Sequence, residues 1–561
     1  MTATPGTSDA PDPIEAMAER VARRPGWVFA PTLWGLVEQR ASATPDATML
    51  TDENGRSMSF ARYRERAEAV AAGLHHRHGV GEQTPVSWEL PTWLESFVLV
   101  AALARLSARQ NPIIPIYRER EVGFAVDQTS ASLLVVPSVW RGFDYAQMAG
   151  SIARSSEGTK VLVCDHSLPE SDVRTLPPPP SNPHSAAEAP VRWVFYTSGT
   201  TADPKGAQHT DPSVLASALA MSECLDLVSS DVAGLVFPFT HIGGIGWLMA
   251  TLVSGCLVVI TEAFDPAATP RLLAEHDVTL AGSGTPFHMA YLAAQRREAE
   301  VPGPPDRPIF PKVRAFPGGG APKPPQLHRD LKAEIGGVGI VSGYGLTESP
   351  IVSMATCSDP DDKLADTEGR ATPGVTFKVV ALDGTVSGPG REGELRVKGP
   401  QLMRGYLDSS LDEEAFDEEG FFKTGDLGVI DAEGFVVVTG RLKDVIIRHG
   451  ENISAKEVED LVYQHPSVAD VAVVGVPDAR TGERACAVIA LRPEADSLDL
   501  ERLREFLEAK GLRTQAVPEQ LLIVESVPRN PAGKILKHRL REQLVADDGA
   551  QSEKKGEPRE R

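Results

Sequence analysis

A chain of 561 residues is several times the usual size of one domain, so it has to divide into at least two, and its 42% hydrophobic content is that of a folded protein. With 77 acidic against 56 basic residues the net charge is −21, the wrong sign for a chain whose main partner is a nucleic acid or an anionic membrane. The five cysteines, Cys164, Cys224, Cys256, Cys357 and Cys486, form no CxxC pair, which argues against a zinc site or a disulfide framework and for a reducing cytoplasm.

In chain order, the first 29 residues read as a loose leader: they are acidic at the start and lack the apolar segment of a signal peptide. Met49 to Phe60 predicts two short strands around Asn54-Gly55, a pair that tolerates positive φ in a tight hairpin. Tyr63, Ala67, Val70, Ala71 and Leu74 then recur at helical spacing. From there to residue 440, short apolar runs (Leu133 to Val136, Val161 to Val163, Leu257 to Ile260, Thr279 to Leu280) alternate with helical patterns. This is an α/β reading, a large N-terminal domain over 30–440 built from stacked, mostly parallel βα sheets.

Pro169 to Pro190, with prolines at 177 to 180, predicts an exposed connector. Val232 to Thr261 has no charged residue, but Pro238 and several glycines break it into a loop, a helix and a strand of a buried core, which is not a membrane span. A small mobile α+β C-terminal domain is expected over 441–546. It has helices from Ser454 and over Leu500 to Lys510, closed by Gly511, and strands near Val471 to Val474, Ala485 to Leu491 and Leu521 to Val524. The charged tail 547–561 predicts disorder.

The strongest local signal is Tyr196-Thr-Ser-Gly-Thr-Thr-Ala-Asp-Pro-Lys-Gly-Ala207, after the apolar run Trp193 to Phe195. Successive backbone N–H groups, several hydroxyls and one lysine are what a loop needs to hold a polyphosphate. The spacing is not GxxxxGK[ST], which separates it from the nucleoside-triphosphatase loop. Further along come Gly318-Gly-Gly-Ala-Pro322, Gly343-Tyr-Gly-Leu-Thr-Glu348, Phe422-Lys-Thr-Gly-Asp426, Gly440-Arg-Leu-Lys-Asp444 and Pro528-Arg-Asn-Pro-Ala-Gly-Lys534.

With these motifs in this order, roughly residues 30 to 545 resemble the adenylate-forming superfamily of acyl-CoA synthetases, luciferases and peptide-synthetase adenylation domains. The resemblance implies ATP-dependent activation of a carboxylic acid as an acyl-adenylate, then transfer to coenzyme A. Thr197, Ser198, Gly199, Thr200, Thr201 and Lys205 would hold phosphates, with Thr347 on phosphate oxygens and Glu348 on Mg2+. Gly320, Ala321, Pro322 and Tyr344 would form the adenine shelf, Asp426 and Arg441 would meet the ribose, and Lys534 would stabilise the approach of carboxylate to α-phosphate. The resemblance places His241, Ile242, Gly243, Gly244, Gly318, Gly319 and Gly345 around the acyl pocket, with His241 among the catalytic candidates. Lys443 becomes a hinge, and His449, Gly450 and Glu451 border the coenzyme A channel. Two positions depart from the family pattern, Ala202 and His449, where glycine is usual.

The chemistry explains these residue types, because two anions must meet and charge builds on the phosphorus oxygens, so fixed cations are needed. Phe237-Pro-Phe-Thr-His-Ile-Gly-Gly-Ile-Gly-Trp247 contains no acid to pair an α-ammonium, which disfavours amino acids. Its small residues suggest a bulky apolar acid, and Asn111-Pro-Ile-Ile-Pro-Ile-Tyr117 is similar to ligases for alicyclic acids; a polycyclic terpenoid acid would also fit. No carrier segment follows Lys534, so the acceptor is a separate molecule, coenzyme A first and an acyl carrier protein second. The partners expected are therefore small molecules, with a homodimer open. The rivals are an acyl-AMP ligase that stops at the adenylate and a silent nucleotide-binding scaffold, which intact Lys205, Glu348, Asp426, Arg441 and Lys534 oppose.

Overall fold

The computed structural model describes residues 11–197, 204–299, 308–449, 451–478, 480–493, 495, 497–530 and 533–556. Its centre is a six-stranded sheet in the order Lys205–Thr210, Val191–Thr197, Arg109–Pro112, Pro85–Trp88, Leu133–Val136, Lys160–Val163. All neighbours are parallel except the edge pair Lys205–Thr210 and Val191–Thr197. Leu133–Val136, inside the sheet, is apolar and buried along its whole length, which leaves no alternation to read, whereas Arg109–Pro112 and Lys205–Thr210 carry polar residues. A second sheet joins Val232–Leu235 and Leu257–Ile260 in parallel to the predicted hairpin, Thr48–Asp52 with Ser57–Ser59. The helix Phe60–His78 buries Tyr63, Ala67, Val70, Ala71 and Leu74, as the spacing requires.

Later in the large domain the parallel pattern gives way. Thr376–Val380, Gly393–Lys398, Phe422–Ile430 and Val436–Arg441 form an antiparallel sheet. No long crossover helix intervenes, and antiparallel neighbours do not need one. The small domain is a five-stranded sheet in which Val468–Asp478 and Gly482–Leu491 pair along their length and Gln520–Val524 joins in parallel. Helix Ala455–Val462 is capped by Ser454, and helix Leu500–Ala509 by Asp499. One apolar cluster runs from Tyr291 and Phe310 of the large domain to Val458, Tyr463 and Val473 of the small one. Among the described residues no helix is long and apolar enough to cross a membrane.

Four expectations change. The leader contains a helix, Pro13–Ala22, whose Ile14, Met17 and Val21 form a buried stripe, while Arg20 forks onto Glu223 at 2.9 and 2.7 Å. Asp12 caps it and also accepts the Ala186 N–H, so the segment is tied down at both levels. Helix Lys537–Gly556 starts in the small domain, where Leu540 and Leu544 dock its first turns, and runs on into the first part of the expected tail, while 557–561 lie outside the described residues. Thr279–Leu280 makes isolated bridges to Ala233 and Ala315 and no strand, and Val232–Leu235 adds a strand ahead of the loop, helix and strand expected there. The connector 169–190 is largely exposed, yet Pro169 approaches Gly73 so closely that a Cβ there would lie 2.0 Å from its carbonyl oxygen.

Glu89, at the carboxyl edge of the central sheet, is fully buried, and neither carboxyl oxygen has a hydrogen-bond partner among the described residues. Burial pushes its pKa well above 4.5, with Arg118 opposing. The folded state therefore holds a proton that the unfolded chain releases, and stability falls as pH rises from 4.5 toward the folded value. Glu89→Gln is expected to stabilise the protein at pH 8 by on the order of 1 to 3 kcal/mol, and by much less near pH 5. Thermal unfolding at the two pH values checks this; a pH-independent difference would mean the carboxyl is not the titrating group.

Candidate active site

Strands Val191–Thr197 and Lys205–Thr210 leave the carboxyl edge of the central sheet with Thr197 directly opposite Lys205. The residues between them that carry the phosphate-loop expectation, Ser198, Gly199, Thr200 and Thr201, lie outside the described residues. Such an edge is where open α/β sheets place their ligands. The Lys205 ammonium sits 5.3 Å from the centre of the Tyr406 ring. Tyr406 in turn donates its hydroxyl to Glu348 Oε1 at 2.8 Å. Burial raises the Glu348 pKa, opposed by that hydroxyl and by the charges of Lys205 and Lys534.

Thr347 is held through its carbonyl, which accepts His209 Nε2–H at 2.8 Å. His209 is fully buried and its pKa is pushed down to about 4 by desolvation, so it stays a neutral donor. Across the antiparallel sheet Asp426 stands opposite Arg441, with Nε to Oδ1 at 2.8 Å, and Tyr344 donates its hydroxyl to Asp426 Oδ2 at 2.8 Å. Burial and the Asp426 charge drive the Tyr344 phenol well above its ordinary pKa, so it remains a donor.

A cavity of about 850 Å³ lies between the two domains. Gly320, Ala321, Pro322, Tyr344 and Gly345 form one side, Asp426 and Arg441 another, and Lys534 enters from the small domain. Lys534 is fixed by its own turn: its N–H donates to Asn530 Oδ1 at 2.9 Å, and its carbonyl accepts the Asn530 N–H at 2.8 Å. The turn reaches the large domain because Gly533 has no side chain; a Cβ there would lie 2.5 Å from Pro286 Cγ. Burial, then the charges of Arg441 and Lys443, push the Lys534 pKa down to about 8. Lys443 follows in the short turn Leu442–Asp444, its pKa lowered by burial and by Arg441.

A second, small pocket of about 20 Å³ adjoins the Lys205 strand, where Ile113, Tyr117 and Tyr196 face His241, Ile242 and Thr347. His241 caps helix Ile242–Ser254: its Nδ1 accepts the Gly243 N–H at 3.1 Å, and burial lowers its pKa to about 4. That lone pair is therefore engaged, and a base role through Nδ1 does not fit. Gly243, Gly244, Gly318 and Gly319 line neither cavity. A Cβ on Gly244 would meet Phe239 O at 2.3 Å, and one on Gly318 would meet Ile340 Cγ2 at 2.8 Å. The pocket expected around them is thus partly packed against backbone and core, and Gly319 with φ +152° needs glycine for its conformation.

His449 and Glu451 sit on the exposed turn of the hairpin Ile446–Arg448 and Glu451–Ile453, off the wall of the large cavity, while Asn452 is on it. Gly450 lies outside the described residues. His449 has φ +51°, the left-handed region where glycine costs least, and its N–H donates to Thr481 O at 2.7 Å. Tyr406 and His209 are the site residues that sequence reasoning missed. Tyr406 lies 201 positions from Lys205 and 58 from Glu348, and its own side chain is uncharged.

Among the described residues no group of three or more His, Cys, Asp or Glu side chains could cage a metal. One buried carboxylate, Glu348, that feels the charges of Lys205 and Lys534 fits Mg2+, an ion commonly held by one or two carboxylates, substrate phosphates and water. The AMP-binding enzyme model matches residues 37–407, and the AMP-binding enzyme C-terminal domain model matches 457–534. The chain belongs to the AMP-binding enzyme family. As an AMP-binding enzyme it activates a carboxylate through an adenylate.

Among its relatives is the medium-chain fatty-acid–CoA ligase of Escherichia coli strain K12, 30% identical over 91% of this chain and 89% of that one. The salicyl-AMP ligase / salicyl-S-ArCP synthetase of Mycobacterium tuberculosis H37Rv is 30% identical over 94% of each. The o-succinylbenzoate CoA synthetase of Bacillus subtilis, solved with its acyl-adenylate intermediate, superposes with a TM-score of 0.74 at 25% identity over 90% of this chain and 97% of that one.

Proposed function

We propose that this AMP-binding enzyme converts an apolar, bulky or alicyclic carboxylic acid to its acyl-adenylate with release of pyrophosphate, then transfers the acyl group to coenzyme A. The observation that carries the reading is the convergence of Tyr344, Asp426, Arg441 and Lys534 on one interdomain cavity beside the Lys205–Tyr406–Glu348 cluster. Asp426 is pre-aimed by Tyr344 and Arg441 to accept from ribose hydroxyls. Gly320, Ala321 and Pro322 with the Tyr344 face supply a flat wall for the base. Lys205 neutralises phosphate charge, and Glu348 would hold Mg2+, which when bound would screen the triphosphate. Lys534 stabilises the negative charge that develops as the acid oxygen attacks the α-phosphate, an interaction of greatest value in the transition state.

His241 is a neutral wall of the small pocket, consistent with an acyl-side role that makes no use of its basicity. Coenzyme A as acceptor is supported by the E. coli relative's name, and a carrier protein by the M. tuberculosis relative's name. The test is a panel of linear, alicyclic and aromatic acids assayed for pyrophosphate release, with mass detection of the product when coenzyme A alone is present. Thioester from an alicyclic acid is the expected result. Adenylate that accumulates without thioester would reassign the enzyme to carrier loading, and no pyrophosphate with any acid would overturn adenylation.

A further inference from the structure

The segment Met403–Leu407 is bound to both halves of the phosphate-facing machinery. Met403 N–H donates to Glu348 O at 2.8 Å, Arg404 N–H to Gln208 O at 2.8 Å and Leu407 N–H to Gly206 O at 2.7 Å. Gln208 Nε2 returns a bond to Tyr406 O at 3.0 Å. The Tyr406 N–H donates to Asp412 Oδ1 at 2.9 Å, and that acid can approach because position 405 is glycine, at φ +123°, where a Cβ would lie 2.5 Å from Asp412 Oδ2. The backbone of Tyr406 is thus fixed on both sides, and its side chain is 4% exposed.

Held in that way, the side chain has two ends with different partners. Its ring faces the Lys205 ammonium at 5.3 Å, within cation–π range, and its hydroxyl meets Glu348 Oε1 at 2.8 Å. A tyrosine kept only for packing would need neither contact. We propose that Tyr406 is a positioning residue that locks the phosphate lysine Lys205 and the metal carboxylate Glu348 into one unit, so that binding of nucleotide phosphates and binding of Mg2+ reinforce each other through it. The inference rests on the adenylation reading above, and the two can fail separately. Its physical basis is preorganisation: a carboxylate whose rotamer is already set loses less freedom when it takes an ion, and outer partners of ligating carboxylates commonly affect metal affinity.

Tyr406→Phe keeps the ring beneath Lys205 and removes the hydroxyl; Tyr406→Leu removes both. A fluorescent ATP analogue, titrated with and without Mg2+ against wild type and both variants, reads the coupling directly, with no turnover involved. Tyr406→Phe is expected to bind the metal-free nucleotide within about twofold of wild type, while the gain in affinity on adding Mg2+ falls about tenfold. Tyr406→Leu should lose about three- to tenfold in metal-free affinity as well, the size expected of one cation–π contact. In Glu348→Gln, which keeps the shape but not the charge, adding Tyr406→Phe should cost little further Mg2+ response, because both changes cut the same interaction.

A Mg2+ response in Tyr406→Phe equal to wild type would overturn the proposal. So would an equal loss with and without metal accompanied by a lowered unfolding temperature, since that is the mark of a merely structural tyrosine. If wild type bound no nucleotide, the adenylation reading would fall first and this inference with it; nucleotide binding without the predicted difference would remove this inference alone.

Discussion

Alanine at Lys534 is expected to slow adenylation on the order of 100- to 1000-fold, about 2.7 to 4 kcal/mol, the cost of losing one preorganised charge from a transition-state site. The ammonium lines the interdomain cavity with Asp426 and Arg441, and its turn is pressed against the large domain at Gly533 and Pro286. We propose a two-face mechanism in which the small domain turns about Lys443 before acyl transfer, which breaks that contact and removes Lys534 from the second reaction. Given preformed acyl-adenylate and coenzyme A, the variant should therefore make thioester at nearly the wild-type rate.

Paired single-turnover assays, one for each half-reaction, decide it: equal loss in both, with the protein folded, would remove the two-face mechanism. The pH dependence carries a second signature. With its pKa pushed down to about 8, Lys534 loses its charge as pH rises through that value, so kcat/KM for adenylation should fall on the alkaline side. Lys534→Arg, charged throughout, should flatten that limb even where its absolute rate is lower.

How far the sequence could be read depended on whether a signal was local. The hairpin around Asn54-Gly55, the helix carrying Tyr63 to Leu74 and the order of motifs from Tyr196 to Lys534 were each marked by residues near one another in the chain, and the α/β architecture followed. Asp426 and Arg441 came from separate motifs, yet only the antiparallel register places them opposite each other. The helix Pro13–Ala22 escaped because an acidic start hid a three-residue apolar stripe whose partner surface, near Glu223, lies some 200 positions away. The helix that runs into the tail escaped because its first turns, ahead of residue 547, are stabilised by docking of Leu540 and Leu544, a contribution that composition does not contain. Tyr406 was invisible because its meaning arises from contacts with Lys205 and Glu348, and nothing in Arg404-Gly405-Tyr406 announces them.

Glycine was the residue most easily misread, and it gives the last test. Small side chains after His241 suggest room for a bulky acid, so Gly244→Leu would be expected to narrow the acyl pocket. In the structure Gly244 instead allows a close backbone approach, since a Cβ there would stand 2.3 Å from Phe239 O and 2.7 Å from Phe239 Cα, both backbone atoms that have no rotamer to yield. Gly244→Leu should therefore destabilise the whole fold, by about 3 kcal/mol or more, at the upper end of overpacking costs. Activity should fall alike on every acid.

Gly246 is the contrasting position. It is buried, yet a Cβ there would have no neighbour within 4 Å, and it lies one helical step of four from Ile242, a wall of the small pocket. Gly246→Leu should leave the unfolding temperature unchanged or raise it, since leucine is the better helix former by roughly 1 kcal/mol. It should cut pyrophosphate release with bulky acids far more than with short ones, because the added side chain fills space those acids need. Thermal unfolding and a short-against-bulky acid comparison on both variants separate the two glycines. If Gly244→Leu kept its stability and lost only bulky acids, or if Gly246→Leu lost all acids equally, the acyl group would not run along this helix.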